Sequence, residues 1–80
     1  MNYKDLVLDS LINDDECFTE IFLYFMFVKV RISVKELQKL LDEMVEDGYI
    51  RVLREWQNEY YEYPYTLTEK GRAACEKLDF

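Results

Sequence analysis

The 80 residues, half of them apolar and only three of them glycine or proline, predict one folded domain spanning residues 1–80 and exclude a disordered chain. The formal charge of −7 provides no general attraction to nucleic acid, because that attraction comes from Lys and Arg displacing counterions. Histidine is absent and no glycine-rich phosphate loop is present, so we expect no enzyme and no bound cofactor.

The two cysteines, Cys17 and Cys75, are too isolated to build a zinc site and are expected to be free thiols. The N-terminus lacks the pattern of a signal peptide. The longest apolar run, residues 21–28, is far shorter than the ~20 residues of a membrane span. We therefore expect a cytoplasmic protein that does not bind a membrane.

Two helices are predicted in the first third of the chain. Apolar residues spaced three and four apart predict the first helix over residues 3–12. The second is placed at about residues 15–28, where apolar side chains cover most of the circumference. Such a helix either lies at the centre of the core or uses part of its surface, with Phe25 as a candidate contact, to bind a second copy or another protein.

The segment 32–53 predicts an amphipathic helix that ends in a glycine and leads directly into a strand. Ser33 is the expected N-cap, with Glu36 completing a capping box, and Gly48 suits the left-handed position after the helix. The strand is expected at residues 49–53. The helix is expected to bury Val34, Leu37, Leu40, Leu41, Met44 and Val45.

A hairpin and a closing helix complete the chain. Residues 54–59 are expected to form its loop and residues 60–67 the return strand, with alternating tyrosines on one face and Pro64 at an edge or bend. Thr68 is the expected cap of a last helix over residues 69–78. The predicted class is α+β and mostly helical, with three helices, a two-stranded wing and a C-terminal helix.

Two motifs resemble bacterial winged helix-turn-helix domains of the PadR and MarR type. Residues 46–50, Glu-Asp-Gly-Tyr-Ile, are similar to the segment that leaves the recognition helix in those families. Residues 65–71, Tyr-Thr-Leu-Thr-Glu-Lys-Gly, are similar to the segment that leaves the wing. The resemblance implies a transcriptional regulator, commonly a dimer, that places the helix beginning at Ser33 in the major groove of duplex DNA. The chain departs from the pattern in its aromatic second helix and in a wing without Lys or Arg between residues 56 and 65.

On this interpretation the recognition helix, which begins at Ser33, and the residues around it supply the DNA contacts. Gln38 has an amide suited to adenine, and Lys35 or Lys39 suits guanine or phosphate. Residues 29–54 carry a net charge of +1, whereas the whole chain carries −7. The residues expected to contact DNA are Lys29, Arg31, Ser33, Lys35, Gln38, Lys39, Arg51 and Arg54.

The alternative function is a winged-helix module that binds another protein and not DNA. Tyrosine and tryptophan are enriched at protein interfaces, although tyrosines alternating along a strand also serve as ordinary cross-strand pairs. The net charge of −7 favours this alternative. Acidic residues on the recognition helix would repel phosphate unless they face away from the DNA. The candidate partner-binding residues are Phe25, Trp56, Tyr61 and Tyr63.

Overall fold

The computed structural model describes residues 2–78, which form four helices and a two-stranded antiparallel sheet. In chain order the elements are α1 (Tyr3–Ser10), α2 (Phe18–Phe27), α3 (Val34–Glu46), β1 (Ile50–Val52), β2 (Tyr65–Leu67) and α4 (Glu69–Cys75). The predicted class and order of elements are confirmed. Helices α1, α2 and α4 are shorter than predicted because their outermost residues lie in caps and turns.

Helix α3 begins and ends where local chemistry predicts. The Ser33 hydroxyl accepts a hydrogen bond from the Glu36 amide at 3.0 Å, and the Glu36 carboxylate accepts one from the Ser33 amide at 3.2 Å. At the other end, Gly48 has φ of +82° and the amide of Tyr49 donates to the carbonyl of Met44 at 3.0 Å. This is the Schellman arrangement, and it turns the chain sharply into β1.

Helix α2 ends in the same arrangement without a glycine. Lys29 occupies the left-handed position with φ of +61°, and the amide of Val30 donates to the carbonyl of Phe25 at 2.9 Å. The linker that follows is tied to α1, since the Tyr3 hydroxyl donates to the carbonyl of Arg31 at 2.7 Å. These contacts set the turn between α2 and α3.

The wing differs from the predicted hairpin. Strands β1 and β2 pair from Ile50 with Leu67 to Val52 with Tyr65, and Glu16 adds an isolated bridge on the far side of Tyr65. The return strand therefore covers only residues 65–67 of the predicted 60–67, and the alternation of tyrosines ends with it. Tyr61, near the start of the predicted strand, is left-handed, with φ of +62°, which is incompatible with a strand at that position.

Helix α4 packs against the exit of α3. The Thr68 side chain caps α4 by accepting from the Gly71 amide at 3.1 Å and donates to the carbonyl of Gly48 at 2.5 Å. Gly71 allows the approach, because a Cβ at this position would lie 2.1 Å from the carbonyl oxygen of Tyr49. Packing and capping thus explain Thr68 and Gly71 of the motif at residues 65–71.

The core lies between α1, α2, α3 and the base of the wing, and it corrects two predictions. Phe25 is fully buried and its ring meets Tyr3 edge-on at 5.9 Å, so it is a core residue and not a partner contact. Val34 was expected on the buried face of α3, but it is 57% exposed. The buried apolar residues include Leu6, Val7, Leu8, Leu11, Ile21, Phe25, Leu37, Leu41, Met44, Ile50 and Leu67.

Candidate nucleic-acid interface

An open groove of about 1200 Å³ lies between α3 and the wing. It is lined by residues of α3 and of the wing, together with Phe18 and Thr19 from the start of α2. Four of the residues predicted to contact DNA line this groove: Lys35, Gln38, Lys39 and Arg54. We refer to it below as the reading groove.

Charge is divided along α3 in the reading groove. Lys35 and Lys39 are exposed, lie one helical turn apart and belong to the N-terminal half of the helix. Asp42, Glu43 and Glu46 line the same groove from the C-terminal half. The acidic residues of α3 therefore do not all face away from the groove, and one end of it is cationic while the other is anionic.

Gln38 stands at the boundary between these two halves. Its amide nitrogen donates to an Asp42 carboxylate oxygen at 3.0 Å and lies 3.4 Å from the Tyr65 hydroxyl. Burial raises the pKa of Tyr65, against the lowering effect of the Gln38 hydrogen bond. The phenol therefore stays protonated at neutral pH. Both contacts of Gln38 use its amide nitrogen, so its carbonyl oxygen takes part in neither of them.

The Glu62 carboxylate attaches the wing loop to the start of α2. One oxygen of Glu62 accepts from the Thr19 amide at 3.2 Å and from the Asn58 side chain at 2.9 Å. Its other oxygen accepts from the Thr19 hydroxyl at 3.0 Å. A negative charge at the first turn of α2 also suits the helix dipole. No local pattern predicts this role, because Thr19 and Glu62 are 43 residues apart.

Aromatic residues form the outer wall of the groove. The Arg54 guanidinium lies over the Tyr63 ring, 5.2 Å from its centroid, so a candidate DNA contact and a candidate partner contact are coupled. Tyr61 also lines the groove and is 81% exposed. Trp56 is half exposed but does not line it.

The remaining predicted DNA contacts lie outside the reading groove. Lys29, Arg31 and Ser33 line a second, adjoining cavity of about 580 Å³ at the turn between α2 and α3. Arg51 is exposed but alternates with Val52, which lines the groove, so Arg51 belongs to the opposite face of the wing. The predicted set is therefore divided over three surfaces instead of forming one band.

A tyrosine held by two lysines lies away from both cavities. The Lys4 and Lys70 amino groups lie 3.6 Å and 4.3 Å from the centroid of the Tyr49 ring. The side-chain hydrogen bond from Lys4 and the positive charges of both lysines lower the pKa of Tyr49. Lys70 also donates to the carbonyl of Asp47 at 2.6 Å, so this cluster secures the end of α3.

A helix-turn-helix followed by a two-stranded wing and a closing helix defines a winged-helix domain. The chain is similar to Bacillus subtilis PadR in the crystal structure of its complex with operator DNA, with a TM-score of 0.75 and 21% sequence identity. That match covers 91% of this chain but only 42% of the PadR chain. The chain thus spans about two fifths of that protein's length.

A second similar structure is a PadR family transcription regulator from hypervirulent Clostridium difficile R20291, with a TM-score of 0.78 and 19% identity. The match covers 94% of this chain and 81% of that one. No family model and no curated protein matches the sequence. The likeness confirms the winged-helix fold that the two motifs predicted.

Within residues 2–78, no helix has the length and apolar character needed to cross a membrane.

Proposed function

We propose that the protein is a DNA-binding transcriptional regulator, not an enzyme, that reads duplex DNA with α3. The proposal is supported by its likeness to two structures of PadR regulators, one of them in complex with operator DNA. In helix-turn-helix proteins the N-terminal residues of the second helix contact base edges, and the first helix crosses the backbone. On this chain that geometry places Gln38 at the base edges and brings Lys35 and Lys39 within reach of phosphate or guanine.

The distribution of cations around the start of α3 carries the proposal. Lys29 and Arg31 precede the helix and Lys35 and Lys39 follow its cap, all of them exposed. The one carboxylate in this stretch, Glu36, is occupied by the capping box. Since the other acidic residues of α3 begin only at position 42, the N-terminal half can approach phosphates while the C-terminal half stays outside the DNA groove.

The contacts of Gln38 refine how it would read a base. Bidentate recognition of adenine uses both the oxygen and the nitrogen of the amide. Here the nitrogen already donates to Asp42, so the carbonyl oxygen is the group offered to DNA. An acceptor at this position recognises an exocyclic amino group, that of adenine or of cytosine, by a single hydrogen bond.

A homodimer is part of the proposal. One small module gives limited affinity, and two copies reading two half-sites supply the affinity and the specificity that regulators need. The contacts of each copy would be the cations around α3, with Arg54 on the wing. Lys29 and Arg31 are assigned to the phosphate backbone. Arg51 would contact phosphate only if the DNA bends around the outer face of the wing.

Titration of fluorescently labelled random-sequence duplex DNA, followed by anisotropy at 50 mM salt, tests the proposal. The combined substitution Lys35→Ala with Lys39→Ala should weaken binding by at least tenfold. The control, Arg72→Ala with Lys77→Ala, removes the same charge from exposed positions on or beside α4 and should leave binding nearly unchanged. No binding by the wild type, or equal losses in both variants, contradicts the proposal.

One observation favours a second candidate, a module that binds another protein. The reading groove contains four carboxylates, those of Asp42, Glu43, Glu46 and Glu62, against three cations. Its wall presents Tyr61 and Tyr63, which suit a basic, aromatic-binding peptide better than phosphate. This candidate predicts that Tyr61→Ala abolishes binding of a protein partner and that duplex DNA is not bound at any salt concentration.

A further inference from the structure

The Gln38 side chain lies between two acceptor groups of the protein. Its amide nitrogen is 3.0 Å from an Asp42 carboxylate oxygen, one turn further along α3, and 3.4 Å from the Tyr65 hydroxyl on β2. An amide nitrogen carries two hydrogens, and the two acceptors provide one partner for each of them. With both contacts in place, the carbonyl oxygen is the part of the amide that can meet a base.

The orientation of this amide is determined by Asp42 and not by Tyr65. An ionised carboxylate only accepts hydrogen bonds, so turning the amide round would bring the Gln38 oxygen against another acceptor. A phenol hydroxyl can donate as well as accept, so it can pair with either end of the amide. The contact with Asp42 is also the shorter of the two, and it is the stronger because its acceptor is charged.

The two acceptors differ in how firmly the fold holds them. Tyr65 is buried, and its backbone pairs with Val52 on one side and with Glu16 on the other, where its amide donates to the Glu16 carbonyl at 2.8 Å. Asp42 is exposed and lines the reading groove. Tyr65 therefore fixes the place of the amide, and Asp42 can be replaced without opening the core.

We infer that Asp42 is a positioning residue that sets the base specificity of Gln38, an inference that rests on the proposed reading of DNA by α3. Every base pair presents one exocyclic amino group in the major groove, on adenine or on cytosine. A fixed acceptor binds either of these bases on the strand that it faces and rejects guanine and thymine, whose oxygens are acceptors too. Asp42 thus makes one position of the DNA site degenerate, whereas an unrestrained glutamine prefers adenine.

Removal of Asp42 should narrow the base preference. In Asp42→Ala the Gln38 amide is free to offer its oxygen to N6 and its nitrogen to N7 of adenine, a bidentate pair that cytosine cannot form. The matched control is Glu46→Ala, which also removes a carboxylate from the reading groove. Glu46 lies about 12 Å along α3 from Gln38, too far for a hydrogen bond. Both variants should bind DNA more tightly, but only Asp42→Ala should change the preferred base.

Selection from a random-sequence duplex library, followed by sequencing, identifies the position that Gln38 reads, because Gln38→Ala should abolish the preference there. Anisotropy titrations then compare four duplexes that differ only at this position. For the wild type and Glu46→Ala, the adenine and cytosine duplexes should bind within about threefold of each other and about fivefold or more above the other two. For Asp42→Ala, the adenine duplex should bind about fivefold or more above the cytosine duplex.

NMR of the protein alone tests the orientation without DNA. The side-chain amide protons of Gln38 should shift in Asp42→Ala, because they lose a charged acceptor, and should stay in place in Glu46→Ala. Unchanged signals in Asp42→Ala overturn the positioning role.

The DNA experiments separate failure of the inference from failure of the proposed function. A wild type that accepts adenine alone, a preference that Gln38→Ala leaves unchanged, or an equal acceptance of adenine and cytosine that persists in Asp42→Ala overturns the inference while DNA binding stands. A wild type that binds no duplex overturns the proposed function, and the inference with it.

Discussion

Substitution of Gly71 tests the contact that fixes the wing against α3. An alanine Cβ would lie 2.1 Å from the carbonyl oxygen of Tyr49 and 3.1 Å from a methyl group of Leu67. The first neighbour is backbone and cannot rotate away, so α4 must withdraw by roughly 1 Å and weaken the hydrogen bond from the Thr68 amide to the same oxygen, which is 3.1 Å long. We expect Gly71→Ala to lower the free energy of unfolding by about 3 kcal/mol.

The assay is thermal unfolding followed by circular dichroism. In a domain of this size, 3 kcal/mol corresponds to a fall in Tm of roughly 15–20 °C. Gly48→Ala is the matched comparison, since its Cβ would meet no atom within 4 Å but its φ of +82° is unfavourable for alanine. It should cost only about 1 kcal/mol. A Gly71→Ala protein that melts within ~3 °C of the wild type would refute this account of the packing.

Three further predictions concern charge, backbone strain and thiol reactivity. Asp42→Asn should strengthen DNA binding by about 1 kcal/mol, or roughly fivefold, because it removes a carboxylate from the reading groove; weaker binding in the anisotropy titration would contradict this. Lys29→Gly should raise the free energy of unfolding in urea by about 0.5–1 kcal/mol, because glycine tolerates the left-handed backbone. The same substitution should weaken DNA binding, because a positive charge is lost. A less stable variant would show the strain argument to be wrong. Burial, with a smaller contribution from Glu20, raises the pKa of Cys17 to about 11, so on the order of 0.1% of it is thiolate at pH 8. In a Cys75→Ser variant, a thiol reagent should therefore label Cys17 much faster in urea than in the native state, and equal rates would contradict the burial.

Local chemistry made much of the fold predictable from the sequence. The caps at Ser33 and Thr68 and the left-handed Gly48 each depend on residues within a few positions of one another, and all three were predicted correctly. The return strand was predicted too long because its end depends on a distant contact. Glu62 binds Thr19 at the start of α2, and no pattern within the wing signals that attachment.

The buried face of α2 could not be assigned from its composition. When apolar residues surround a helix, periodicity does not show which side faces the core. Of the two alternatives for α2, the core helix fits Phe25, which is buried, whereas Phe27, two residues later, is almost fully exposed. In α3, where polar and apolar residues alternate clearly, the buried positions Leu37, Leu41 and Met44 were predicted correctly.

The exposure of the cations in the candidate site was predictable from the sequence, but their arrangement was not. The exposed cations around α3 followed from the helix pattern and the resemblance. Their division over the reading groove, the turn before α3 and the outer face of the wing depends on how the wing packs. The position of Asp42 was not predicted either. Its hydrogen bond to the amide nitrogen of Gln38 leaves the carbonyl oxygen as the group that Gln38 offers to a base.

The salt dependence of DNA binding tests the central claim most directly. The observed association constant for a duplex should fall as salt rises, with a log–log slope near −4.5 per bound copy if Lys29, Arg31, Lys35, Lys39 and Arg54 all meet phosphate. Replacing Lys35 and Lys39 by alanine should make the slope shallower by about 2. A slope near zero, or one that this double substitution leaves unchanged, would contradict the reading of DNA by α3.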